Sequence, residues 1–350
     1  MMGHFLKIHP RDNVLVALRD IGEKEIIGDE GKMLTILESI PAKHKVFSRD
    51  LNAGDEVIMY GLLVGKTQSD VKGGSLVTTA NVRHASSTYA YRKASFNWAA
   101  PDISHFRNKT FAGYHRSCGR VGVANYWIFI PMVFCENKNL DVIAEVMQQE
   151  LGYANSSKYK RFTRQLAEAY QLHEDLDSIE FSPVSDSNSK DRLFRNVNGV
   201  KFLRHEGGCG GTRQDAALLG KLLATYADHP NVGGVTVLSL GCQNLQVQDF
   251  LEQLKRINPR FDKPLYVFEQ QQTKSVDALI SEAIRNTFSG LAEINSLQRK
   301  PAGLDKLRIG VKCGGSDGFS GISANPAVGH CADLLVALGG SVFLAEFTEL

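Results

Sequence analysis

The chain has 350 residues, 43% of them hydrophobic and 22% charged, with 40 basic against 38 acidic side chains and a formal net charge of +2. That length supports two or three domains with their own cores. The basic residues are scattered, so neither a nucleic-acid groove nor a polybasic membrane patch is indicated, and a small-molecule partner is the expectation.

The start "MMGHFLKIHPRDNV" lacks the charged head and apolar core of a secretion signal. No apolar run reaches the roughly 18 residues a spanning helix needs, so a cytoplasmic location is expected. From Gly3 to about Asn81, β-rich runs such as "NVLVALRDI", "HKVFSRDL" and "EVIMYGLLVGK" alternate with Gly, Asp, Asn and Pro turns, which predicts a small all-β module. Residues 84–110 have no clean period and read as a connector.

Beyond it, apolar runs alternate with amphipathic stretches: "NYWIFIPMVFC" then "LDVIAEVMQQELGY", "VKFLRH" then "QDAALLGKLLATYA", "GVTVLSLGC" then "QVQDFLEQLKRI", "PLYVFEQ" then "VDALISEAIRNTF", "KLRIGVKC" then "VGHCADLLVALG". This alternation predicts βαβ units and a mainly parallel sheet. A helical stretch around "SKYKRFTRQLAEAYQLH" and the polar "SPVSDSNSKDR" interrupt the series. Because "SVFLAEFTEL" ends on a strand, the chain is expected to be truncated at its C-terminus.

In open α/β sheets ligands bind at the carboxyl ends of strands. Six cysteines stand at positions 118, 135, 209, 242, 313 and 331, with no CxxC pair, which argues against a disulfide framework or structural zinc clip. Cys135, Cys209, Cys242 and Cys313 fall at or just past expected strand ends. Each could equally be a small core hydrophobe, and Cys331, in mid-helix, is expected in the core.

Cys209 in "HEGGCGG" and Cys313 in "CGGSDG" lie in polar, Gly-rich contexts where packing alone is harder to argue. In "KCGGSDGFSGISANP", Gly314 and Gly315 let the backbone approach a ligand, while Ser316, Asp317, Ser320 and Asn325 offer contacts for a polyhydroxylated or carboxylate substrate. A Gly-rich turn leading into a helix at Asn325-Pro326 is the plainer alternative. Thr212 and Asp215 could form a capping box. His205 and Glu206 make an acid/base or metal set, or an ordinary surface pair. The dinucleotide fingerprint, the Walker phosphate loop and the nucleophile elbow are missing, which lowers support for nicotinamide, NTPase and α/β-hydrolase chemistry.

The ordered motifs "IHPRDNVLVALRDI", "IPAKHKV", "VIMYGLLVGK", "GRVGVANY", "HPNVGGVTVLSLGCQNLQ", "QQQ", "CGGSDGFSGISANP" and "AEFTEL" resemble the altronate/galactarate dehydratase family, on the altronate side. The resemblance implies an SAF-like β-clip domain over residues 1–85, a connector over 86–110, and an α/β, Rossmann-like, mainly parallel region over 111–350. It also implies a hydro-lyase converting a sugar acid, D-altronate first, to a 2-keto-3-deoxy acid with Fe(II) or Mn(II). His44, Lys45, Ser316 and Asp317 would then be catalytic. Asn81, Asn125, Gly314, Gly315, Ser320 and Asn325 would bind substrate, and His205, Cys209, Cys242 and Cys313 the metal, in a pocket facing the β module.

Several residues depart from the family pattern: Thr78 and Ala80 stand in histidine places, Ala124 in an arginine place, Gln243 in a glutamate place and Thr348 in a proline place. These departures keep a non-catalytic sugar-acid binder, or a lyase for another small α-hydroxy acid, as alternatives. The expected partner is the sugar acid, with no nucleic acid or membrane and with room for a homo-oligomer.

Overall fold

Strand β2 (Val14–Ala17) is buried at all four positions, because its two faces feed two cores. Val14 and Val16 pack with Phe47, Leu51, Val57, Met59 and Val71, whereas Leu15 and Ala17 pack with Ile21, Ile27, Ile36, Ile40 and Val46. A two-sided strand shows no apolar/polar alternation, which is why "NVLVALRDI" reads as a plain apolar run. The computed structural model describes residues 5–29, 32–88, 97–154, 158–183, 192–312, 314 and 319–345.

Around β2 lie β1 (Phe5–Leu6), the hairpin of β3 (Ile26–Asp29) and β4 (Lys32–Thr35), β5 (Lys45–Phe47), and the meander β6 (Glu56–Met59), β7 (Leu62–Thr67), β8 (Val82–His84), all paired antiparallel. Tyr60 and Gly61 both have positive φ, 58° and 70°, as the two-residue turn joining β6 to β7 requires. The preceding "DN" clamps that turn: buried Asp12 accepts from the Gly61 N–H at 2.7 Å, and Asn13 bonds the Ile58 N–H and the Glu56 carbonyl.

Residues Arg107–Leu307 form a separate compact unit. Its strands are β9 (Thr110–His115), β10 (Val121–Gly122), β11 (Tyr126–Pro131), β12 (Gly199–Phe202), β13 (Val232–Ser239), β14 (Leu265–Glu269) and β15 (Lys300–Gly303). Strands β11 to β14 make a four-stranded parallel sheet in the order β12-β11-β13-β14, while β10-β9-β15 form an antiparallel sheet.

The unit's helices are α1 (Asn137–Glu150), α2 (Lys158–Gln171), α3 (Arg213–Asp228), α4 (Val247–Ile257) and α5 (Val276–Asn295). Trp127 and Phe129 face a core shared with α1 and α5; Ile128 and Ile130 face one shared with α3 and α4. Covering the sheet on both faces turns "YWIFIP" into a continuous apolar strand. This is a mixed α/β fold, with antiparallel strands that the expected alternation did not contain.

Residues from Arg308 onward continue the strand-helix alternation with β16 (Arg308–Val311), α6 (Ala324–Ala337) and β17 (Ser341–Leu344), the two strands being parallel. They cluster with Met1–Phe106 rather than with the α/β unit with which the sequence reading joins them. The links are both apolar and polar: Phe319 and Ile322 pack on the Val14–Phe47 core, the Lys43 ammonium lies 5.5 Å above the Phe319 ring, and the Trp98 indole N–H donates to Asp333 at 3.0 Å. Cys331, expected in a core, is exposed on α6, which is buried along its length only at Leu335. Among the described residues no helix is long and apolar enough to cross a membrane.

Trp127 is fully buried between glycines. A Cβ on Gly234, its register partner in β13, or on Gly290 of α5 would fall inside the van der Waals surface of the indole. Gly290→Ala is expected to lower the urea midpoint by the equivalent of about 1–3 kcal/mol through overpacking. An unchanged midpoint would contradict this packing.

Candidate functional site

All four parallel strands end on the same edge of the sheet, and the segments leaving them are stitched together by hydrogen bonds. After β11, the Phe134 N–H donates to Gly207 O (3.0 Å), and the Asn137 amide donates to His205 O (2.9 Å). The next segment, after β12, meets the one after β13 through Leu245 N–H to Gly208 O (3.1 Å) and the Asn244 amide to Cys209 O (2.6 Å). The last seam runs from Gln271 N–H to Leu240 O (3.2 Å). Gly208, with φ 98°, lies so close to Met132 and Val133 that a side chain there would meet their backbone.

His205 holds this edge together. Its Nε2 lies 2.7 Å from Pro131 O and its Nδ1 accepts the Gly207 N–H at 3.1 Å. A carbonyl on one nitrogen and an N–H on the other fix the neutral tautomer protonated at Nε2 and engage both metal-binding positions. Thr212 and Asp215 then close the loop with the expected capping box at the start of α3. Behind the edge, the Ser239 hydroxyl accepts from the Gln243 amide at 2.7 Å and donates to Glu269 at 3.3 Å, while Gln243 Oε1 takes the Gly241 N–H. A glutamate at 243 could not donate that first bond, so the amide suits a hydroxyl that must face Glu269.

Beside the β13–α4 segment a cleft of about 440 Å³ opens between α3 and α4, lined by Arg213, Gly220, Gln243, Asn244, Gln246, Asp249, Glu252 and Gln253 among others. Its size lies within the range of small-molecule sites. Arg213 brings a fixed cation to it, and the amides bring donors and acceptors suited to hydroxyl groups. The sequence reading took "GTRQD" only as a helix start and passed over Arg213. The signal was a cation in the first turn of a helix leaving a Gly-rich strand end.

The expected site residues divide between the two units. In the α/β unit, Cys209 and Cys242 are exposed at the carboxyl edge of the sheet. Asn125 is not part of that edge. It is fully buried at the opposite, amino end of β11, where its amide donates to Asn196 O and Ile294 O and accepts from Arg116, so no polar atom is left for a substrate.

In the N-terminal unit, Asn81 spends its side chain on its own turn, accepting from Thr78 N–H and donating to Leu76 O. His44 is exposed, with Nδ1 3.2 Å from Ala42 O, and Lys45 opens β5. Asn325 stands in the first turn of α6, its N–H donating to Ser320 O, and Gly314 is exposed. Cys313, Gly315, Ser316 and Asp317 lie outside the described residues. Among the described residues no three His, Cys, Asp or Glu side chains group as a metal ion requires. With both His205 nitrogens engaged, the described part of the expected ligand set does not by itself fit a divalent ion.

The opposite edge of the sheet carries its own charge cluster. Arg120 pairs with buried Asp228 and donates to the Cys118 sulfur at 3.2 Å, and the Lys263 ammonium donates to Ala227 O and His229 O. Burial, helped by nearby Arg116, pushes Lys263 down to about 7. Between that value and the ordinary lysine range the unfolded chain holds the extra proton, so stability rises with pH across this window. Urea unfolding from pH 7 to 10 is expected to show this upward slope, and Lys263→Met to flatten it. Equal slopes in the two proteins would exclude a depressed Lys263.

Family models match three stretches of the chain: the altronate/galactarate dehydratase SAF domain over residues 3–85, the D-galactarate dehydratase/altronate hydrolase second domain over 113–295, and the D-galactarate/altronate dehydratase C-terminal domain over 304–350. The chain is 31% identical to altronate dehydratase of Bacillus subtilis (strain 168), over 100% of its own length and 61% of that protein. It is 30% identical to altronate dehydratase of Escherichia coli (strain K12), over 99% and 60%. Its identity to galactarate dehydratase (L-threo-forming) of the same organism is 27%, over 99% and 60%. The chain thus spans about three fifths of the length of these relatives.

Proposed function

We propose, for a chain that belongs to the altronate/galactarate dehydratase family, a hydro-lyase activity that dehydrates a sugar acid, D-altronate first, to a 2-keto-3-deoxy acid. The observation that carries the reading is the stitched carboxyl edge, with the cleft holding Arg213 beside it. We read the β12-β11-β13-β14 order as Rossmann-like, with its switch point between β11 and β13. Ligands collect at such a point, because the segments leaving neighbouring strands diverge there.

Dehydration removes a weakly acidic proton next to a carboxylate and expels the neighbouring hydroxyl, so it needs a carboxylate anchor and groups that take up and return protons. Arg213 would anchor the carboxylate. Asn244 and Gln246 would position hydroxyl groups, and Asp249 and Glu252 line the same cleft as carboxylates able to exchange protons. The family resemblance further gives His44, Lys45, Ser316 and Asp317 catalytic roles and Gly314, Gly315, Ser320 and Asn325 substrate contacts. Dependence on Fe(II) or Mn(II) stays on the same footing, with Cys209 and Cys242 as the described thiols.

Protein expressed from its complete coding sequence, handled anaerobically with Fe(II) or Mn(II), is expected to convert D-altronate to a keto acid detectable as its semicarbazone. Arg213→Ala is expected to raise KM about tenfold with little change in kcat, and His44→Ala to lower kcat. If no aldonate or aldarate is turned over, the reading fails; if KM is unchanged in Arg213→Ala, the cleft is not the substrate site. Metal analysis of the anaerobically isolated protein against Cys209→Ser and Cys242→Ser tests the ion separately, and equal content in all three would remove these thiols as ligands.

A further inference from the structure

Tyr60 opens the two-residue turn between β6 and β7 with φ 58°. Glycine, asparagine and aspartate adopt that left-handed conformation at little cost, whereas a bulky aromatic residue does not. Backbone strain of this kind persists only where the surrounding structure holds it, and it collects at ligand-binding sites. Lys43, with φ 73°, is a second residue held in the same region.

Both residues meet one stretch of chain. The Lys43 ammonium lies above the Phe319 ring, and a Cβ on Gly321 would stand 2.5 Å from the Tyr60 hydroxyl oxygen. That stretch is a tight turn, in which the N–H groups of Ile322 and Ser323 donate to Phe319 O at 3.0 and 2.9 Å. Phe319 and Ile322 anchor the turn in the Val14–Phe47 core, which fixes Ser320 and Gly321 as well. Packing accounts for the Tyr60 ring but not for its oxygen. Tyr60 is 40% exposed, and its hydroxyl makes no hydrogen bond among the described residues. A phenylalanine would fill the place of the ring, and Gly321 leaves space only the oxygen uses.

We propose that the Tyr60 hydroxyl bonds a hydroxyl group of the sugar-acid substrate beside Ser320, and that residue 321 is glycine to leave room for it. The proposal rests on the dehydratase reading, and it adds a contact from the turn of the β module to those that the family resemblance gives Ser320 and Asn325. A phenol donates one hydrogen bond and accepts others, which suits the hydroxyl of a polyol. Such a contact is made equally in the bound substrate and in the transition state, so it acts on binding and not on the chemical step.

Protein expressed from its complete coding sequence is assayed with D-altronate. Tyr60→Phe, which keeps the ring and the turn, is expected to raise KM about fivefold with kcat changed less than about twofold and the thermal midpoint unchanged. Gly321→Ala crowds the hydroxyl and is expected to raise KM similarly, but to raise it no further in the Tyr60→Phe background, where the crowded atom is gone. An unchanged KM in Tyr60→Phe, or Gly321→Ala raising KM by the same factor in both backgrounds, would overturn the proposal while leaving the dehydratase reading in place. A midpoint lowered by more than about 5 °C in Tyr60→Phe would assign the hydroxyl to folding and overturn it too. If the wild-type protein turns over no aldonate or aldarate, the dehydratase reading itself fails and the proposal falls with it.

Discussion

The placement of one indole governs the α/β unit. Trp127 sits on the central strand β11 with its Nε1–H on Thr236 of β13 at 3.0 Å, and Thr236 in turn meets Thr287 of α5 at 2.6 Å. Tyr266 of β14 stacks alongside at 5.8 Å. Two strands and a helix are thereby tied to one ring, and Gly234 and Gly290 are small because the ring fills the space their side chains would take. A one-residue slip of β11 would send the indole to the opposite face, so this contact fixes the register, and the register fixes which residues leave the sheet at its carboxyl edge.

What that edge presents is order more than exposed reactivity. His205 resembles an acid/base or ligand residue in sequence, yet its imidazole is committed to Pro131 O and the Gly207 N–H. Asn125 and Asn81 behave alike: both carry polar side chains in family motifs, and both use them to close backbone that would otherwise be unsatisfied. Residues in this framework hold loops so that others, Arg213 among them, stand beside a cleft.

The sequence made the regular parts legible and the irregular ones much less so. β11 to β14 and α1 to α5 follow from strong apolar periods, and the Thr212/Asp215 capping box from local spacing, because these signals come from neighbours along the chain. Strands β9, β10 and β15 form their own antiparallel sheet from Gly- and Pro-bearing segments such as "KPAG", whose strand character comes from pairing partners almost 190 residues apart, as in Lys300 against Gly113. The allegiance of residues beyond Arg308 was invisible for the same reason: strand-helix-strand reads identically whichever core it joins. In the site, cysteines at strand ends could be located from spacing, but not whether a histidine's nitrogens were already spoken for.

The division of the chain has a consequence for how the molecule is made. The N-terminal unit draws on Met1–Phe106 and on Arg308 onward, with about two hundred residues of the other unit between them. During synthesis the middle unit is complete, and can close around Trp127, before Phe319 and Ile322 emerge to cover the Val14–Phe47 core. The first-made β module therefore waits with apolar surface open. The closed middle unit shortens the effective loop that must be gathered when the late segment arrives, so an early failure of the middle unit would be inherited by the first.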